Sequence, residues 1–180
     1  MTGRLNEKIL KKIKPITHVI LDVDGVLTDG GILMDDLGNE AKYFNVRDGH
    51  GIKLLQRVGI EVILLTGRTS KTVEFRAKDL GIQWVYQAAL DKGAVIDSIL
   101  KTHSLRPEQV CYVGDDIVDV PVFLRIGFAV AVADAMEYVK KTADFVTSLK
   151  GGEGAVRELC EMILKVQGSW KDVAAKYGLP

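Results

Sequence analysis

The sequence predicts an α/β fold: one doubly wound, mostly parallel sheet with a small β-hairpin insert and no large second domain. Three observations carry that expectation. Short runs of β-branched and apolar residues alternate with helix-patterned stretches along the chain. The runs are almost continuously apolar, as strands covered on both faces must be. No internal repeat, low-complexity segment or linker interrupts the 180 residues, so a single domain over 1–180 is expected.

Each element has its own signal. Leu5, Ile9, Leu10 and Ile13 space a short amphipathic helix that ends near Pro15, with Lys8, Lys11, Lys12 and Lys14 on a solvated face. Residues 17–23 (THVILDV) form the first strand. Residues 30–46 (GGILMDDLGNEAKYFNV) set an Asp-Leu-Gly-Asn turn between short alternating stretches, a hairpin signal. Ile52, Leu54, Leu55 and Val58 mark a helix over 49–58 that Gly59 ends. A strand follows over 60–65, then a helix capped by Thr69 or Ser70 that runs to Leu80 and stops at Gly81. Beyond it come strands at 84–86, 109–113, 128–132 and 145–146, separated by helices over 91–103, 116–126 and 135–141, with a further helix over 154–166. Such a succession needs right-handed crossovers and gives an open sheet.

Composition removes several function classes. Hydrophobic residues make up 47% and charged residues 27%, as in ordinary globular proteins. Lys plus Arg and Asp plus Glu are 24 each, so the basic excess of a nucleic-acid binder is missing. No apolar run approaches a membrane span and the charged N-terminus lacks a signal peptide's apolar centre, so no membrane partner and a cytoplasmic location are expected. The two cysteines, Cys111 and Cys160, fall in apolar runs and are expected to be buried free thiols.

Chemistry gathers at strand ends. Asp22 and Asp24 close the first strand in LDVDG, and strand alternation puts both carboxylates on one side. Adjacent acids beside an apolar strand call for a cation, and magnesium suits carboxylate oxygen. Asp-Gly is also ordinary turn chemistry. Gly114, Asp115, Asp116 and Asp119 follow another strand; an N-cap accounts for one of these acids but not for a third one turn on. Acids past two strands of one parallel sheet meet at its carboxyl edge. Thr66, Gly67 and Arg68 follow a third strand, where a hydroxyl and free N–H groups can cradle phosphate. Lys92 stands in the first turn of a helix, against the dipole, and so has an anionic partner or is simply solvated.

In this order, Asp-Val-Asp-Gly-Val, Thr-Gly-Arg, Lys92 and Gly-Asp-Asp-x-x-Asp resemble the four motifs of the haloacid dehalogenase superfamily of phosphatases. The hairpin without a larger cap, FNVRDGHGIKLL (44–55), LLTGRTS, GDDIVDVPV and GGEGAVRE (151–158) extend the likeness over nearly the whole chain. They resemble the capless branch that acts on 3-deoxy-D-manno-octulosonate 8-phosphate in lipopolysaccharide precursor synthesis.

That resemblance implies a Rossmann-like fold and specific roles. Asp22 would be the nucleophile and Asp24 the general acid and base. Magnesium would be held by Asp22, the carbonyl of Asp24, and Asp115. Thr66, the Gly67 N–H and Lys92 would bind the phosphoryl oxygens, with Asp116 and Asp119 as supporting acids. Asn45, Val46, Arg47, Asp48, Gly49, Lys53, Arg68 and Arg76 would line the substrate pocket, arginine suiting a sugar carboxylate. Taken singly, Lys53 and Arg76 are solvated helix charges. His50 is a candidate pocket contact, whereas His18 and His103 are surface or core-edge residues. The resemblance implies a homotetramer with packed hairpins, for which Ile32, Leu33, Met34, Tyr43 and Phe44 offer apolar surface, unless they pack on their own domain. The tail, 169–180, is expected to act as a lid.

Other readings remain open at this point. Neuraminate or deaminated neuraminate 9-phosphate phosphatases share most of these residues. A phosphoacceptor receiver module combines similar groups, but on a middle strand rather than the first. A scaffold that lost its chemistry and a mutase with a larger cap fit less well.

Overall fold

The structure, a computed structural model, describes residues 6–179; Leu5 of the expected first helix and Pro180 of the tail lie outside the described residues. Strands β1 (His18–Leu21), β4 (Glu61–Leu65), β5 (Trp84–Tyr86), β6 (Val110–Gly114), β7 (Phe128–Ala131) and β8 (Phe145–Val146) form one sheet, while β2 (Leu33–Met34) and β3 (Glu40–Ala41) form a separate hairpin. The sheet order is β5-β4-β1-β6-β7-β8 and every neighbouring pair is parallel. The chain moves outward from β1 through β4 and β5, then crosses back to β6 and continues the other way. Direction therefore reverses between β1 and β6, and their carboxyl ends flank the crevice where such sheets bind ligands.

The helices are α1 (Glu7–Ile13), α2 (Val46–Arg57), α3 (Lys71–Leu80), α4 (Lys92–Thr102), α5 (Val120–Phe123), α6 (Glu137–Thr142), α7 (Ala155–Val166) and α8 (Trp170–Ala175). One group packs α2 against α3 and α7, with α1 and α8 on α7; another packs α4, α5 and α6 together. Right-handed crossovers place such groups on opposite faces. The α2–α7 approach is close: a Cβ on Gly51 would come 3.2 Å from both the Arg157 Cα and the Cys160 Cβ. Strand burial follows: all five residues of β6 and all four of β7 are buried. Cys111 and Cys160 are buried free thiols, as expected.

Three expectations need correction. The helix expected over 49–58 begins at Val46, because Asn45 Oδ1 accepts the Arg47 N–H at 2.8 Å and caps it. The segment 116–126 is not one helix. A 3-10 turn over Ile117–Asp119 precedes α5, because the Asp119 carboxylate turns back onto the Asp115 and Asp116 N–H groups and Pro121 has no N–H to give. The tail does not lie over the chain's own site in this structure. Val173 and Ala174 bury themselves, Tyr177 meets His50 at 3.0 Å and also Arg57, and none of residues 169–179 lines the cavity described below.

The hairpin turn is built by its own acid: Asp35 Oδ1 accepts from the N–H groups of Leu37 (2.9 Å) and Asn39 (2.8 Å). Ile32, Leu33, Met34 and Tyr43 are all at least half exposed, whereas Phe44 packs on the core. Among the described residues, no helix is long and apolar enough to cross a membrane.

Candidate active site

Asp22 follows β1 directly and is buried. Its Oδ1 accepts the Val23 N–H at 2.7 Å, and its Oδ2 lies 2.8 Å from Lys92 Nζ. Lys92 opens α4, whose N-cap Asp91 accepts the Ala94 N–H at 3.0 Å. The Lys92 side chain reaches back through the core to Asp22, to Asp119 Oδ1 (2.6 Å) and to the Tyr112 hydroxyl (3.2 Å). Burial alone would lower this ammonium's pKa, but Asp22 and Asp119 outweigh it and hold it above the usual lysine value. The anionic partner that a first-turn lysine requires is thus present.

Asp119 is fully buried and fully committed. Oδ1 takes Lys92 and the Tyr112 hydroxyl (2.6 Å); Oδ2 takes the N–H groups of Asp115 (2.8 Å) and Asp116 (3.2 Å). This single side chain fixes both the lysine and the loop carrying Asp115. Gly114 permits it, since any Cβ there would strike the Asp119 carboxyl.

Asp115 leaves the end of β6 and turns toward the loop after β1. Gly25, at φ 83°, lets it approach, because a Cβ at Gly25 would overlap the Asp115 carboxylate. Carboxylate oxygens of Asp22, Asp115 and Asp119 lie within 4.8 Å of one another. One ammonium does not balance three carboxylates. Burial, reinforced by Asp119 and opposed by Lys92, pushes Asp22 up to about 7 and Asp115 likewise to about 7. Hard oxygen donors with surplus negative charge fit magnesium, and since Asp119 has no free oxygen, Asp22 and Asp115 are the carboxylates able to hold it.

A cavity of about 320 Å³ opens over these groups, lined by Asp22, Asp24, Thr66, Gly67, Arg68, Lys92, Asp115 and Asp116, among others. Thr66 is buried just past β4, and its Oγ1 accepts the Arg68 N–H at 3.3 Å. Gly67 lines the cavity, and a Cβ there would have only the Ala89 carbonyl near it, at 3.7 Å. Asp116 caps the 3-10 turn and accepts from Tyr138 at 2.9 Å, so one of its oxygens is spent on structure.

Asp24 is held from the hairpin side. Lys42, with no exposed side-chain surface, is ion-paired to Asp24 and lies 3.1 Å from Glu40. Arg68 bonds Glu40 at 2.6 Å and lies 3.7 Å from Asp24. Arg68, with Lys42, holds the Glu40 carboxyl down to about 2. Sequence reasoning missed Glu40, Lys42 and Tyr112. Glu40 and Lys42 stand two apart on a strand and share a face. Tyr112 puts a polar tip in an otherwise apolar strand just before Gly-Asp-Asp, the available signal for it.

The other expected pocket residues lie outside this cavity's lining. Asn45 caps α2 and donates to the Gly152 carbonyl at 3.1 Å. Val46 is exposed. Arg47 takes the N-cap bond. Asp48 is buried and accepts from the N–H groups of Arg157 (2.7 Å) and Gly154 (3.3 Å). Gly49 leaves room for Arg76, which stacks over Phe44 and bonds Asp79 at 2.7 Å. Lys53 Nζ caps the Asp79 carbonyl at 2.9 Å. Gly151 and Gly152 brace the loop after Asp22: Gly152 N–H donates to the Val26 carbonyl at 2.9 Å, and a Cβ on Gly151 would collide with the Gly25 carbonyl.

Residues 81–159 match the haloacid dehalogenase-like hydrolase family. The chain is 46% identical over 165 residues to 3-deoxy-D-manno-octulosonate 8-phosphate phosphatase of Yersinia pestis, covering 92% of this chain and 88% of that one. It is equally identical, over 166 residues with the same coverage, to the Escherichia coli K12 enzyme. The Yersinia pestis crystal structure superimposes with a TM-score of 0.91 at 44% identity, over 93% of this chain and 90% of that one. The Moraxella catarrhalis phosphatase, solved with magnesium, phosphate and the KDO molecule, gives 0.93 at 37% identity, over 97% and 99%.

Proposed function

Because this chain belongs to the 3-deoxy-D-manno-octulosonate 8-phosphate phosphatase family of haloacid dehalogenase-like hydrolases, we propose that it hydrolyses that sugar phosphate to the free sugar acid and phosphate. The reaction serves lipopolysaccharide precursor synthesis and depends on magnesium. The observation that carries this reading is the convergence of Asp22 from β1 and Asp115 from β6 beside buried Lys92 and under one cavity.

The residues divide the work. Asp22 attacks phosphorus; an O–P bond forms to its carboxylate as the bond to the sugar oxygen breaks. Asp24, held by Lys42 and Arg68 at the cavity wall, gives its proton to the departing alkoxide. It then takes a proton from water, whose oxygen attacks phosphorus, breaks the bond to Asp22 and releases phosphate. Thr66, the Gly67 N–H and Lys92 hold the phosphoryl oxygens where charge spreads. Asp119 and Tyr112 keep Lys92 in place. Magnesium, held by Asp22 and Asp115 with the Asp24 carbonyl, supplies charge neutralisation between carboxylate and phosphate dianion. Arg68 at the cavity rim suits the sugar carboxylate.

Residues 1–180 form a single domain in this reading, and the enzyme is cytoplasmic. Exposed Ile32, Leu33, Met34 and Tyr43 support packing of hairpins in a homotetramer, in which Arg47, Lys53 and Arg76, remote from their own cavity, can serve a neighbour. Light scattering of the purified protein gives the mass. Phosphate release from octulosonate, neuraminate and deaminated neuraminate phosphates, with magnesium and an Asp22→Asn control, tests the function. Preference for the octulosonate ester supports it; equal rates on unrelated esters overturn the substrate assignment.

A further inference from the structure

At the opposite edge of the sheet lies a second set of metal-binding side chains that phosphate hydrolysis does not use. His18 opens β1, Glu61 opens β4 level with it in the parallel register, and His103 caps the end of α4. One ligand atom from each lies within 4.8 Å of the other two. Asp22 is four strand residues further on, about 13 Å away along β1.

The donors differ in kind from those around Asp22. Two imidazoles and a carboxylate suit zinc, cobalt or nickel, and leave a fourth position for water. His18 Nε2 stands 3.9 Å from Glu61 Oε2, too long for a hydrogen bond. Neighbouring ligands of a tetrahedral ion with bonds near 2.0–2.1 Å stand about 3.4 Å apart, a small adjustment for a carboxylate that is more than half exposed.

Outer partners already orient both rings. Thr17 Oγ1 meets His18 Nδ1 at 2.9 Å, which turns Nε2 toward Glu61. The Tyr86 hydroxyl lies 3.2 Å from His103 Nε2, and Trp84 packs edge-on against that ring with centroids 4.7 Å apart. Such support is typical of ligating histidines. Burial lowers His18 below the usual imidazole value despite Glu61. Glu61 also lines a cavity of about 340 Å³ together with Trp84.

We propose that His18, Glu61 and His103 form a second divalent-metal site, for a transition metal of the zinc class, which ties the starts of β1 and β4 to the end of α4. The test uses the whole enzyme at pH 7.5 with magnesium in excess, titrated with cobalt(II) and followed by visible absorption. One equivalent develops the intense bands of four-coordinate cobalt. The bands persist in Asp115→Asn, which separates this site from the catalytic one. They weaken by at least about tenfold in apparent affinity in His103→Ala and Glu61→Gln, while magnesium-dependent phosphate release stays at the wild-type level. Zinc raises the melting temperature of the wild type but not of His103→Ala. Glu61→Gln alters only an exposed side chain and keeps the test open if a histidine variant folds poorly. Cobalt bands unchanged in both variants, or lost in Asp115→Asn alone, overturn the proposal.

Discussion

Asp22, just past β1, and Asp48, in α2, are both buried aspartates, and burial raises both above the ordinary carboxylate range. Their neighbours separate them. Asp48, in the first turn of α2, accepts the Arg157 and Gly154 N–H groups at the start of α7. Those donors have no partner within their own helix, so the carboxylate and the helix end satisfy each other. Asp22 faces one lysine and two further carboxylates. Burial therefore marks neither residue as catalytic. A buried acid whose charge is met by backbone is a fastener between helices; a buried acid in a cluster with surplus charge is poised for a cation and for chemistry.

The sharpest way to break that distinction is to change each residue to asparagine. Asp22→Asn removes the attacking oxygen's charge and lowers kcat on the order of 10⁴-fold, with the melting temperature kept or raised because an unbalanced charge is gone. Asp48→Asn keeps the turnover of folded enzyme and loses about 1–3 kcal/mol of stability in urea unfolding. If the two variants exchange these effects, the contrast is wrong.

The next test lies inside the charged cluster. Asp119 is saturated like Asp48 but holds Lys92, so it belongs to both classes. Asp119→Ala leaves a buried lysine short of a partner and costs about 3–5 kcal/mol, with a kcat loss added. Lys92→Met strips the cluster's sole ammonium and lowers kcat further. Coupling between the two is read from the double variant: additive effects on kcat would show that Asp119 does not act through Lys92.

A smaller effect follows from pH. Burial pushes Asp22 and Asp115 up to about 7, well above the unfolded value of about 3.9. Their contribution to stability is complete below about pH 4. As pH rises, the unfolded chain loses these protons first, and the contribution disappears as pH passes 7. Magnesium needs both carboxylates ionised, so its binding competes with those protons. The gain in melting temperature on replacing EDTA by magnesium is thus larger at pH 8 than at pH 6. Equal gains would show that the cluster is already ionised without the ion.

The sequence made the carboxyl edge legible because its residues are set by short-range rules: an acid directly after an apolar strand must emerge at the sheet edge. Asp22, Asp24, Thr66, Gly67 and Asp115 reach one cavity because they follow strand ends, and Lys92 reaches it from the first turn of α4. Long-range pairing was less visible. Nothing near position 42 in the chain announces that a lysine folds from the hairpin onto Asp24, eighteen residues back. Residues 45–49 are expected at the pocket from the resemblance alone, and Gly49 and Gly51 fall in or at the start of the expected helix. Both are helical, and both are small because Arg76 and α7 come close. The helix expected over 116–126 failed because Asp119 spends its side chain on backbone rather than on solvent, a choice decided by the tertiary position of Lys92.

The smallest effect sharpens the fastener side. Asn45, three residues before Asp48, ties the same two segments: Oδ1 caps α2 and Nδ2 donates to the Gly152 carbonyl before α7. Asn45→Ala loses the cap and costs about 1 kcal/mol. Because Gly152 also donates to the Val26 carbonyl in the loop after Asp22, the loosened segment bears on the site. Thermal unfolding gives the stability loss, and steady-state rates on the octulosonate ester show whether the brace is felt there. An Asn45→Asp variant keeps the cap but not the donor to Gly152. If it restores stability yet leaves KM raised, the Gly152 contact is what transmits the effect; full restoration of both confines Asn45 to the helix end.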